Sequence, residues 1–142
     1  MTEGRRIVVG VDGSDSSRAA LRWAAGQGAL SGAAVHAIGS WEYPAFYSWE
    51  GGPMPPDDFE KAAAKSLEDT VEAVEDERGA RDSIERELRH GDAAQILIDA
   101  SDGAELLVVG SRGHGSFYGA VLGSVSQRVA QHATCPVVII RA

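Results

Sequence analysis

A four-residue apolar run, Leu106-Leu107-Val108-Val109, stops at Gly110-Ser111-Arg112-Gly113, and further on Gly123-Ser124-Val125-Ser126 opens a helical pattern. Few folds accommodate that order. A run that is apolar at every position needs cover on both faces, as a strand in a parallel sheet has. The glycines let main-chain N–H groups approach a ligand, and a helix end adds unpaired donors with partial positive charge. Strand, glycine segment and helix N-terminus in succession are how α/β proteins hold a phosphate.

The remaining chain repeats the alternation. Arg6 to Val11 reads as a short, nearly all-apolar strand, and Asp12-Gly13-Ser14-Asp15 as a turn and helix cap. Ser16 to Leu30 is alanine-rich and helical, with Ala20, Trp23, Ala24 and Leu30 expected on one face; Ser31-Gly32 ends it. Ala33 to Gly39 is a second small-apolar strand. Trp41 to Pro56, aromatic and rich in Pro and Gly without a period, reads as a long loop whose aromatics crowd between Trp41 and Trp49. From Asp57 a helix resumes, with Phe59, Ala63, Leu67, Val71 and Val74 at helical spacing, and Gly79 ends it near Arg78.

Ser83 to His90 alternates Ile84 and Leu88 with charged residues, as a half-exposed edge strand does. Asp92 with Gln95 caps a short helix through Ala100, and Ser124 with Gln127 caps the last helix. Glu105 to Val109 is a strand. Pro136 starts the final one, Val137 to Ile140, at a position where a missing N–H does no harm. Strands alternating with helices predict parallel βαβ units in one doubly wound α/β domain over residues 1–142.

The totals narrow the partners. A formal net charge of −8 disfavours nucleic acid and anionic membranes, both of which need clustered Lys and Arg. No stretch approaches the roughly 20 apolar residues of a membrane span. The single cysteine, Cys135, cannot form an internal disulfide, which fits a reducing cytoplasm. Four histidines, far apart in sequence, show no ligand pair at helical spacing, so no metal site is expected.

In an open parallel sheet, ligands bind beyond the carboxyl ends of strands where the strand order reverses. Two loops would then face one crevice: Gly10-Val11-Asp12-Gly13 and the glycine segment after Val109. Asp12 stands where a carboxylate accepts hydrogen bonds from ribose hydroxyls; the plainer alternative is that it helps cap the first helix. The glycine segment is not a Walker loop, because Ser116-Phe117 replaces the Lys and Ser/Thr, and it lacks the dinucleotide pattern G-x-G-x-x-G.

What it spells is Gly110-x-x-Gly113, nine residues, then Gly123-Ser124. With Gly10-Val11-Asp12-Gly13-Ser14 near the start and Cys135-Pro136-Val137-Val138-Ile139 near the end, the chain resembles the universal stress protein family over essentially its whole length. The glycine pattern is similar to that of the family's ATP-binding branch. The resemblance implies a five-stranded parallel sheet of order 3-2-1-4-5 and a homodimer. It implies ATP, or ADP or AMP, as ligand, with Mg²⁺ accompanying a triphosphate. Gly10, Val11 and Asp12 would line the adenine and ribose side, and Ala37 would meet adenine through its backbone. Val109, Gly110, Arg112 and Gly113 would wrap the ribose and first phosphates. Gly123, Ser124, Val125 and Ser126 would hold the phosphate tail. Position 10 is Gly where some ATP-binding relatives have Pro, which implies a looser adenine wall.

The final strand, apolar until Arg141, also predicts self-pairing at its bare edge, giving a homodimer through Pro136 to Arg141. The function expected is an ATP-binding, stress-responsive regulator that signals nucleotide status to a protein partner. No dedicated catalytic residues are expected; slow ATP turnover or self-phosphorylation on Ser124 or Ser126 would be a side activity. Two alternatives stand beside it: an interaction module that holds no nucleotide, and an adenylating enzyme of the ATP-pyrophosphatase kind, suggested by Gly13-Ser14-Asp15-Ser16-Ser17.

Overall fold

β1 (Arg6–Gly10) lies at the centre of a five-stranded parallel sheet of order β3-β2-β1-β4-β5. The other strands are β2 (Ala34–Trp41), β3 (Ile84–His90), β4 (Leu106–Gly110) and β5 (Val137–Ile140). Four helices connect them: α1 (Asp15–Ser31), α2 (Pro56–Arg78), α3 (Ala93–Ser101) and α4 (Ser124–His132). The computed structural model describes residues 5–42, 56–79, 84–112 and 122–141. The expected strand order is the one observed.

The pleat distributes the central strands between two cores. Ile7, Val9, Val35, Ala37 and Val108 face α1 and α2, against Leu21, Ala24, Leu67, Val71 and Val74. Val8, Ile38, Leu107 and Val109 face α3 and α4, against Ile96, Leu97 and Val129. Ile7, Val8 and Val9 are completely buried, which explains why β1 shows no polar alternation. Each such side chain contributes about 1.5–3 kcal/mol by leaving water. Among the described residues no helix is long and apolar enough to cross a membrane.

Element limits follow the sequence signals closely, but the buried face of α1 does not. Trp23 and Leu30 of α1 are 38% and 85% exposed and do not join Ala20 and Ala24 in the core. The buried residues of α1 are Ser16, Ser17, Ala20, Leu21, Ala24, Ala25 and Gly28. Close approach selects these small residues: a Cβ on Gly28 would lie 2.9 Å from the Ala33 carbonyl oxygen and from a Val35 methyl. Gly32 ends α1 in the left-handed region at φ 82°, its N–H donating to the Gly28 carbonyl.

β3 is an edge strand, as its charge alternation predicts. Its Arg86 bonds Glu68 at 2.9 Å and the buried Glu75 at 3.1 Å, supplying the partner that a buried carboxylate requires. At the other edge, all four residues of β5 stay half-buried. The Trp41 ring ends β2 beside His90, with ring centroids 4.4 Å apart. The rest of the aromatic stretch expected as a loop, residues 43–49, lies outside the described residues.

Candidate functional site

The strand order reverses between β1 and β4: the chain builds outward from β1 through β2 to β3, then returns to the other side of β1. The carboxyl ends of β1 and β4 therefore flank the crevice where α/β sheets bind ligands.

At the end of β1 the chain turns through Gly13, at φ 83°, into Ser14, whose hydroxyl caps α1 by accepting from the Ser17 N–H at 3.1 Å. Asp12 organises this turn. Its Oδ1 accepts from the Ser14 N–H at 2.9 Å and from the Ser14 hydroxyl at 2.5 Å, and its own N–H donates to Ser17 Oγ at 3.2 Å. The carboxylate thus has a local structural task while remaining exposed at the crevice. Gly10 sits against α3: a Cβ there would fall 2.6 Å from Leu97 Cδ1. Leu97 fills the space that a side chain at position 10 would take.

At the end of β4, Gly110 packs under the first turn of α1. A Cβ there would lie 2.7 Å from the main-chain carbon of Ser16 and closer still to its hydroxyl. Helix packing alone therefore demands glycine at this position. The Ser126 hydroxyl donates to the Gly110 carbonyl at 2.6 Å, and the Arg112 N–H reaches Ser16 Oγ at 3.4 Å. Ser111 donates its N–H to Ile140 and accepts from the Gly123 N–H at 2.7 Å. The chain is thereby pinned on both sides of the glycine segment.

The start of α4 differs from expectation. Gly123 is the N-cap, with no side-chain capping bond, and Ser124 is already helical. Gln127 donates its side-chain amide to the Leu122 carbonyl rather than closing a capping box. The first helical hydrogen bond is Gln127 N–H to Gly123 carbonyl. Among the described residues, the N–H groups of Ser124, Val125 and Ser126 have no acceptor, leaving three donors at the positive end of the helix dipole. Asp92, by contrast, caps α3 as expected, accepting from the Gln95 N–H at 2.9 Å. It also pairs with Arg128 of α4 at 2.7 Å. The Gln95 amide first, and Arg128 after it, hold the Asp92 carboxyl below its usual range.

These ends enclose one cavity. Gly10, Val11, Asp12, Val109, Gly110, Arg112, Gly123, Ser124, Val125 and Ser126 all line it. Two of the expected residues do not appear there. Ala37 is fully buried in the core on the α1 and α2 face, and Gly113 lies outside the described residues. From β2 the cavity takes Ile38 and Ser40 instead, and it also takes Ser17 and, from α3, Ala93, Ile96 and Leu97. The pleat decides this: Val35 and Ala37 share one face, so the residues next to α3 must be even-numbered. That alternation was readable in the sequence. The side near α3 is apolar, and the side near α4 carries the three amides and Arg112. Asp12 and Arg112 are the only titratable side chains among the described lining residues.

Sheet order and crevice together define a doubly wound α/β protein with a cavity at the topological switch point. A model of the universal stress protein family matches residues 4–141, and the chain belongs to that family. A universal stress protein of Mycolicibacterium smegmatis is 36% identical over 94% of this chain and 47% of its own length. The chain spans about half the length of the curated relatives it matches. Among solved structures, a universal stress protein in complex with cAMP is 27% identical, with a TM-score of 0.71 over 96% of both chains. One from Archaeoglobus fulgidus in complex with dAMP is 28% identical, with a TM-score of 0.68 over 96% of this chain and 97% of its own.

Proposed function

We propose that this chain binds an adenine nucleotide, with the base toward α3 and the phosphates at the start of α4. The observation that carries this is the row of three unpaired N–H groups at Ser124, Val125 and Ser126, lining a cavity whose facing wall is apolar. Relatives above 25% identity bound to cAMP and dAMP support the same ligand class. In this reading the protein belongs to the ATP-binding branch, and it reports nucleotide status during stress to a protein partner. ATP would bring Mg²⁺ on its own phosphates. Arg112 would add charge to the phosphate side, and Asp12 would present its exposed carboxylate to the ribose while holding the turn. Hydrolysis is expected to be slow at most, since the lining carboxylate is tied to Ser14.

The Ser126 hydroxyl is committed to Gly110, so its main-chain N–H, not its side chain, is the group offered to phosphate. Self-phosphorylation at Ser126 would require breaking that bond; Ser124 is the accessible hydroxyl of the pair.

We further propose a homodimer through Pro136–Arg141. β5 is an edge strand of four β-branched residues that remain half-exposed, and a second copy pairing there would cover them. Light scattering at micromolar concentration is expected to give twice the chain mass; a monomer alone would remove the dimer.

For the ligand, freshly purified protein is denatured and its supernatant resolved by anion exchange against nucleotide standards. A near-stoichiometric adenine nucleotide, or a thermal shift with millimolar MgATP that Gly123→Val abolishes, is expected. The absence of both a retained nucleotide and a thermal shift would overturn the reading in favour of an interaction module.

A further inference from the structure

We infer that Ser40 reads the base, its hydroxyl oxygen accepting a hydrogen bond from the exocyclic amino group of a 6-aminopurine. This rests on the adenine-nucleotide reading above and assigns its base selectivity to one side chain.

The placement follows from register. The last pair between β1 and β2 is Gly10 with Ile38, but β2 continues through Gly39, Ser40 and Trp41, held from its other side by Leu88, Arg89 and His90 of β3. Ser40 therefore overhangs the end of β1, where the cavity opens. By pleat alternation it shares the face of Ile38, which packs with Ile96 and Leu97 of α3.

The chemistry follows from what surrounds it. On this side of the cavity the side chains of Val11, Ile38, Ala93, Ile96 and Leu97 offer only carbon. Such walls suit the faces of a flat heterocycle but leave its polar edge unmatched. The hydroxyls of Ser17 and Ser126 are committed to main-chain carbonyls. The half-buried Ser40 hydroxyl has no hydrogen-bond partner among the described residues. A hydroxyl can accept as well as donate, so it can meet an amino group. A base lacking that group would forgo this hydrogen bond.

The test is a cycle between ligand and side chain. AMP and purine ribonucleoside 5′-monophosphate, which lacks only the amino group, are titrated into the wild type, Ser40→Ala and Ser40→Thr. The wild type is expected to prefer AMP by about fivefold, the size of one net hydrogen bond. Ser40→Ala should lose that preference, Ser40→Thr should keep it, and competition by inorganic tripolyphosphate should be the same in all three. Equal affinity of the wild type for both ligands overturns the inference even if Ser40→Ala does not fold. So does a preference that survives in Ser40→Ala. In both cases AMP still binds, and the nucleotide reading stands. A wild type that binds neither ligand overturns the nucleotide reading itself.

Discussion

The hydroxyl of Ser126 donates to the main-chain carbonyl of Gly110 at 2.6 Å, fastening the first turn of α4 to the end of β4. The bond is partly buried, with Ser126 itself only 3% exposed. Ser126→Ala removes the donor and leaves the carbonyl unmatched by this partner, at a cost of about 1–3 kcal/mol. Urea denaturation should show this as a lower midpoint with an unchanged slope. Nucleotide affinity should fall less, since alanine retains the N–H.

Gly110 tolerates no side chain because the backbone of α1 occupies the space. Gly110→Ala is expected to destabilise by about 1–3 kcal/mol, the range for forced overpacking. Adding Ser16→Gly should recover only part of the loss. It removes the hydroxyl and Cβ, but the main-chain carbon stays 2.7 Å from the new methyl. Full recovery in thermal melts would show that α1 shifts freely.

Gly10 presents the opposite case, since its neighbour is the tip of a flexible leucine. Leu97→Ala alone should cost about 2–5 kcal/mol by opening a void in the core shared with Val8 and Ile38. Gly10→Ala fills space adjoining that void. The double variant should therefore be more stable than the sum of the singles predicts, by roughly 0.5 kcal/mol or more. Simple additivity in denaturant titrations would mean that Leu97 does not fill the site.

Asp92 gives the pH prediction. Its pKa is lowered in the folded chain, chiefly by the Gln95 N–H and then by Arg128. A group whose pKa falls on folding stabilises above its unfolded value, 3.8 here, and loses that contribution as pH drops through the folded value. Asp92→Asn keeps a capping oxygen and removes the charge. The variant should be slightly less stable than wild type at neutral pH, and the difference should shrink as pH falls below 3.8 and vanish only below the lowered folded value. Asp92→Ala should cost about 1 kcal/mol more by losing the cap. The pair with Arg128 adds little, because both side chains are nearly half exposed.

Most of the scaffold was legible because its signals are local. Apolar runs bounded by glycine marked β1 and β4, and capping chemistry marked Ser14 and Asp92. Other features were hidden for identifiable reasons. The buried side of α1 is built from serine, alanine and glycine, chosen for closeness rather than greasiness, so the bulky Trp23 and Leu30 looked more buried than they are. The start of α4 has no side-chain cap, so Ser124 and Gln127 imitated a pattern that the backbone does not use. Within the site, the face that β2 turns to the cavity was not read from its alternation, since the resemblance pointed to the backbone of Ala37 and not to a side chain. Ile38 and Ser40 were the residues on the cavity side. The α3 contributions, Ala93, Ile96 and Leu97, depend on a helix packing across the sheet, which no local spacing encodes.

The bond between Gly123 and Ser111 gives the site a modular character. Everything that leaves the scaffold after residue 111 must come back to it at residue 123, whatever lies between. For a flexible insert, doubling the contour between two such fixed points costs only about 0.6 kcal/mol in closure entropy. The span beyond the cavity-lining Arg112 can therefore be lengthened while β4 and α4 hold their positions.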